Sequence, residues 1–200
     1  MKKTLLLTFL SFTSAIFFSS CSIEELITPA QTDVPPATEE GINYQITAGR
    51  HETTNPLKTF TKSKIKFEVK FDSTAIYTTK DPNNQADINK LYGMADCGAF
   101  HHVSSARFGW RWYKGKLELH AYSYKDGKNT STFITDIDLN KSYVCELTLT
   151  DGKYTYQVKN NKVEHERSCS GQGQGYQLYP YFGGDEKAPH TINIKIKEIQ

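Results

Sequence analysis

Amphipathic helical runs are missing from the 200 residues, and methionine and tryptophan are scarce at two each. Without a 3.6-residue apolar period of any length, helical bundles and α/β folds are excluded as the organising architecture. Surplus charge is missing as well. The chain carries 24 basic and 22 acidic residues, and losing residues 1–20 would remove Lys2 and Lys3 and leave 22 of each. A neutral protein lacks the concentrated positive surface that nucleic acid or a polybasic membrane contact requires, so no nucleic-acid partner is expected. Cysteine is sparse: Cys21, Cys97, Cys145 and Cys169.

One long apolar run is present, and it lies at the N-terminus. Met1-Lys2-Lys3 is a short basic segment, and residues 4–18 are mostly apolar over a length suited to a secretory signal and too short for a membrane span. Ser19-Ser20-Cys21 resembles the lipobox of bacterial lipoproteins, which makes 1–20 a signal peptide and Cys21 the lipidated first residue. Residues 22–40 are rich in Pro, Thr and Glu, so 21–41 is expected to be a tether and 42–200 the folded domain. Glu24 and Glu25 resemble the acidic signal that sends lipoproteins to the outer face of the outer membrane. The expected location is therefore the outer membrane, with the N-terminal lipid as the only membrane contact.

Residues 105–124 are what the rest is organised around. They read as two strands about a turn at Lys114-Gly115, with glycine supplying the positive φ that such turns need. Counting outward pairs Trp112 with Leu117, Trp110 with Leu119 and Phe108 with Ala121 on a core face. The opposite face then carries Arg111 beside Glu118, Gly109 beside His120, Arg107 beside Tyr122, and Tyr124. Arg, His and Tyr stack on and hydrogen-bond to polar ligands. Such cross-strand pairs also serve as plain surface stabilisation, at roughly 0.2–1 kcal/mol each.

Around this hairpin, period-2 alternation marks strands at Ile42–Ala48, 65–71, 143–150 and 153–159 and a last strand through Ile192, Ile194 and Ile196. Turns are expected at Asp126-Gly127, Asp151-Gly152 and Asn160-Asn161, and further strands at 75–78, 132–138 and 163–167. Residues 87–94 fit neither period. Residues 171–175 read as a flexible glycine-rich approach to a strand over 176–182, whose alternation puts Leu178 and Phe182 in the core and Gln177, Tyr179 and Tyr181 on the working face. About a dozen short strands without a helix predict an all-β, two-sheet antiparallel β-sandwich of jelly-roll type. Cys145, opposite Val158, reads as a buried free thiol. Cys97 and Cys169 lie in glycine-containing segments of an exported chain and are expected to form a disulfide.

Asp96-Cys97-Gly98, His101-His102, the run from Ser105 to Trp112, and Tyr179-Pro180-Tyr181-Phe182-Gly183-Gly184-Asp185 together give a resemblance. The domain resembles the concanavalin A-like jelly roll of lectins, glucanases and polysaccharide lyases, found in lipoproteins of glycan-degrading Gram-negative bacteria. The resemblance implies a concave sheet that meets a glycan. No pair of acidic residues at the spacing of the retaining glucanases appears, which disfavours a glycoside hydrolase. The expected function is non-catalytic polysaccharide binding by Arg107, Arg111, Glu118, His120, Tyr122, Tyr124, Gln177, Tyr179 and Tyr181. The alternatives are a lyase acting by β-elimination on a uronate-containing glycan and a structural or protein-interaction domain. A lyase would use Arg107 or Arg111 to hold the carboxylate, His120 or His102 as base, and Tyr181 or Tyr179 as acid. No cofactor is expected. Asp96, Cys97, His101 and His102 lack zinc spacing, and Asp185-Glu186 alone offers too few oxygens to commit to structural calcium.

Overall fold

The structure is a computed structural model that describes residues 40–199. The expected signal peptide, Cys21 and nearly all of the expected tether lie outside the described residues. Twelve strands form two six-stranded antiparallel sheets. The first has the order β1(Ile42–Ile46), β12(Ile192–Glu198), β3(Lys64–Phe71), β8(Ser142–Thr150), β9(Lys153–Val158), β10(Asn161–Glu166). The second runs β2(Thr59–Lys62), β11(Gly173–Leu178), β4(Asn89–Ala95), β5(Ser105–Tyr113), β6(Lys116–Lys125), β7(Lys128–Ile137). Among the described residues no helix is long and apolar enough to cross a membrane.

The central hairpin folds in the register its alternation demands, from Tyr113 opposite Lys116 to Ser105 opposite Tyr124. Lys114 and Gly115 both take positive φ, 51° and 75°, a turn whose twist matches the flanking strands. The inward row of Phe108, Trp110, Leu117 and Leu119 interdigitates with Phe67, Phe71, Leu147 and Tyr156 of the other sheet, all buried in one cluster. Each such side chain removed from water contributes about 1.5–3 kcal/mol. Cys145 sits opposite Val158 as a buried free thiol. Cys97 and Cys169 form the disulfide.

Three expectations need correction, and one stretch that fits neither period proves to be a strand. Ser73–Ala75 is a 3-10 turn, capped by the Asp72 side chain accepting the Thr74 N–H, where a short strand was expected over 75–78. Strand β7 begins at Lys128, four residues before its apolar alternation, because the Asp126-Gly127 turn carries it straight onto β6. Residues 89–95 are strand β4, whose period is broken by an irregularity between Lys90 and Gly93. The glycine-rich 173–175 belong to β11, and that strand stops at Leu178 ahead of Pro180, which has no N–H for a ladder.

Glycine is required at position 93. A Cβ there would run into the Ala106 carbonyl oxygen and the Arg107 backbone, so β4 and β5 could not keep their spacing. Gly93→Ala is expected to destabilise by about 2 kcal/mol or more, read as a lowered midpoint in thermal unfolding.

Candidate functional site

Cross-strand pairing lays the outer face of the second sheet out in rows. Tyr124, Ser105 and Ala95 make one row; Tyr122, Arg107, Gly93 and Leu178 the next; His120, Gly109, Lys90 and Tyr181 a third; Glu118 and Arg111 a fourth. Rows lie about 6.6 Å apart along the strands. Tyr176, one residue before Gln177, comes onto the same face beside Ala95.

Arg107 is the centre of this face. Its residue is only 6% exposed, its Nε has no hydrogen-bond partner, and no carboxylate among the described residues pairs with it. Burial works against its charge, and only the phenols of Tyr122, Tyr124, Tyr156 and Tyr176 offset that. The guanidinium carbon lies 5.5 Å from the Tyr122 ring centroid, and Lys90 Nζ lies 5.1 Å from the same ring. Lys90 donates to the Gly183 carbonyl oxygen at 3.0 Å, and burial lowers its pKa. Burial also pushes the Tyr122 phenol up. A hydrogen bond from Asn129 Nδ2 (3.1 Å), Lys90, the Tyr124 hydroxyl and Arg107 outweigh that, and hold it below the ordinary tyrosine value.

The loop between β4 and β5 walls one end. His101 Nδ1 shares a hydrogen bond with the Tyr176 hydroxyl at 2.9 Å, and the His102 ring lies 4.3 Å from His101 and 5.3 Å from Tyr124. Burial, then Arg107 and His102, pull the His101 pKa down to about 4. Its unfolded value is about 6.5, so the unfolded chain takes up the proton first as pH falls. Stability from this group is complete above about pH 6.5 and drains away toward pH 4. His120 and His165, both lowered by burial, act in the same direction. His101→Gln is expected to flatten the acid limb of a melting-temperature profile between those values, and an unchanged limb would reject the assignment.

The expected site residues divide. Arg107, Tyr122, Tyr124 and Tyr181 share the face. Tyr181 exchanges both backbone hydrogen bonds with Lys90 and stacks on His51 at 5.2 Å and 11°. Arg111, Glu118 and His120 also lie there but are tied to one another: Glu118 Oε2 accepts from Arg111 Nε at 2.6 Å and meets His120 Nε2 at 3.0 Å. Arg111 further donates to the Ala86 carbonyl and stacks over Tyr113.

Gln177 and Tyr179 point inward instead. Pairing with β4 sets Gln177 opposite the core residue Met94, with Nε2 donating to the Gly93 and Leu178 carbonyls, and turns Leu178 outward. Tyr179 packs 5.8 Å from Tyr44 and 6.0 Å from Tyr92. Lys90, Tyr176 and His51 were not anticipated. Lys90 sits at a strand irregularity, Tyr176 became visible only once β11 was in phase, and His51 reaches the face from 130 residues away in sequence.

Several of the candidate metal ligands are engaged elsewhere. Cys97 and Cys169 are oxidised to the disulfide and Asp96 is paired with Arg167, while Glu186 accepts the backbone N–H groups of Lys80 and Asp81 at 2.8 Å each.

Two six-stranded antiparallel sheets, with a polar aromatic outer face on one of them, define a concanavalin A-like jelly roll. The structure aligns with that of alginate lyase AlyC3 at a TM-score of 0.55 and 12% identity, over 80% of this chain and 74% of that one. Against the alginate lyase from Corynebacterium sp. the values are 0.46, 11%, 80% and 76%. Against the carbohydrate binding module CBM66 from Bacillus subtilis they are 0.37, 7%, 80% and 94%. The first of these likenesses shows a shared fold; the other two lie below half on the same score and carry nothing further. No protein-family model matches the sequence, and no curated protein matches it.

Proposed function

We propose that the chain binds an acidic polysaccharide on the outer face of its second sheet, without turnover. The carrying observation is Arg107, a guanidinium buried among tyrosines with no acid beside it. A cation left in that state costs folding energy, and a carboxylate arriving with the ligand supplies the missing partner through charge-assisted hydrogen bonds. Tyr124, Tyr176 and His102 furnish rings against which sugar faces stack. The fold shared with an alginate lyase is in keeping with a uronate-bearing ligand. Attachment through a lipidated Cys21 to the outer membrane belongs to the same proposal, and Cys21→Ala is expected to move the protein from the membrane fraction to the soluble one.

A second reading, β-elimination, has one observation in its favour. The Tyr122 hydroxyl is held below the usual tyrosine range, beside the group that would neutralise a uronate carboxylate. Glycoside hydrolysis has less support, because Glu118 is engaged by Arg111 and His120, and Asp136 opposite it is engaged by Lys116.

Affinity electrophoresis against uronate and neutral polysaccharides, with parallel ultraviolet detection of unsaturated uronate, tests both readings. Retardation by uronate polymers alone, with no unsaturated product, is the expected result. Product formation that disappears in Tyr122→Phe would replace binding by lyase chemistry, and retardation by neither class would overturn the proposal.

A further inference from the structure

The inward face of the hairpin formed by β6 and β7 changes character along its length. Leu117, Leu119 and Ala121 give way to Ser123 and Lys125, and opposite Ala121, Ser123 and Lys125 on β7 stand Thr132, Thr130 and Lys128. From the other sheet, β10 turns His165 into the same space. His165 Nδ1 lies 2.8 Å from Ser123 Oγ, and its Nε2 lies 2.9 Å from Thr132 Oγ1. Because β7 and β10 are the terminal strands of their sheets, no further strand closes this side, and a cleft of about 590 Å³ opens between them.

Inward positions of a sandwich ordinarily bury apolar side chains. Here hydroxyls and an imidazole line a space the size of a small-ligand pocket. Its charges nearly balance. Lys125 pairs with Glu166 at 2.5 Å, Lys128 and Asp126 add one of each sign, and Glu164 is committed to Lys153 and Lys162. Burial lowers the pKa of the His165 ring and so disfavours its charged form. A nearly balanced rim whose carboxylates are mostly paired gives little preference for an ion, whereas hydroxyls that both donate and accept match a ligand made of hydroxyls.

We infer that this cleft is a second saccharide site, which takes a short neutral oligosaccharide and is separate from the Arg107 face. The inference does not depend on the function proposed for that face. Calorimetric titration of the full chain with maltotriose, cellotriose and xylotriose tests it, with Thr130→Trp and Arg107→Ala as variants. Thr130 is exposed, so the bulky ring fills the cleft without entering the core. At least one trisaccharide is expected to bind, with affinity weakened at least about tenfold in Thr130→Trp and unchanged in Arg107→Ala. No binding of any of the three, binding that persists in Thr130→Trp, or binding lost in Arg107→Ala would overturn it.

Discussion

Arg107→Met is expected to raise the thermal unfolding midpoint while lowering affinity for an acidic polysaccharide about a hundredfold. The two effects have one cause. In the free protein Arg107 is 6% exposed, with an unpartnered Nε and no carboxylate among the described residues paired with it, so the fold bears its desolvation without an ion pair in return. Methionine keeps the aliphatic packing and removes the charge, and replacing a buried ionic group by an apolar one of similar volume commonly stabilises by roughly 1–4 kcal/mol. The loss of the contact with the Tyr122 ring places the expected gain at the lower end of that range. The bound state reverses the sign, because a carboxylate would then face a buried apolar surface. Arg107→Lys keeps the charge but loses the planar fork, and should fall between the two in affinity. Differential scanning calorimetry and affinity electrophoresis on the three proteins read both quantities. If Arg107→Met proved as destabilised as a core truncation, the arginine would be a structural element and the binding proposal would lose its main support.

How far the site could be read from the residues depends on which device fixed each strand. The Arg107, Tyr122 and His120 face was legible because a two-residue turn pins the register of β5 on β6 and side chains alternate without interruption over eighteen paired positions. Strand β11 was not. Its glycines carry no periodic signal, and Pro180 ends the ladder, so that Tyr179 and Phe182 both face inward although three residues apart. The phase came from its neighbour, through Gln177 opposite Met94, and no local pattern contains that information. Lys90 was hidden by the irregularity that follows it, and His51 by its distance along the chain from Tyr181. The exchange of hydrogen bonds between Tyr181 and Lys90 brings both onto the outer face of the second sheet, and it is tertiary in origin.

Asp96→Ala is expected to cost about 3–5 kcal/mol, a stability loss as large as that of any single exchange considered, because it strands a buried arginine. Both side chains of the Asp96–Arg167 pair are fully buried, 2.7 Å apart. Asp96 also accepts from the Tyr154 hydroxyl at 2.9 Å and from the Gln174 N–H at 3.1 Å, while Arg167 donates to the carbonyls of Thr150 and Gly171. The pair therefore joins the end of β4, strands β8, β9 and β11, and the segment after β10, beside the Cys97–Cys169 bridge. Arg167→Met should cost a comparable amount, since the carboxylate it leaves keeps two donors just as Asp96→Ala leaves the guanidinium two carbonyl acceptors. The double variant Asp96→Ala with Arg167→Met should recover part of the loss by removing the unpaired charge. Chemical denaturation of the three variants measures this, and strictly additive losses would show that the two charges are not coupled. A functional consequence follows from position. Asp96 opens the loop that carries His101 and His102, and its backbone N–H donates to the Ser104 carbonyl oxygen at 3.0 Å to close that loop. With the carboxylate gone, the wall beside Arg107 loses its anchor. Affinity for an acidic polysaccharide should then fall in Asp96→Ala even at temperatures where the fold persists, and recover less than stability does in the double variant.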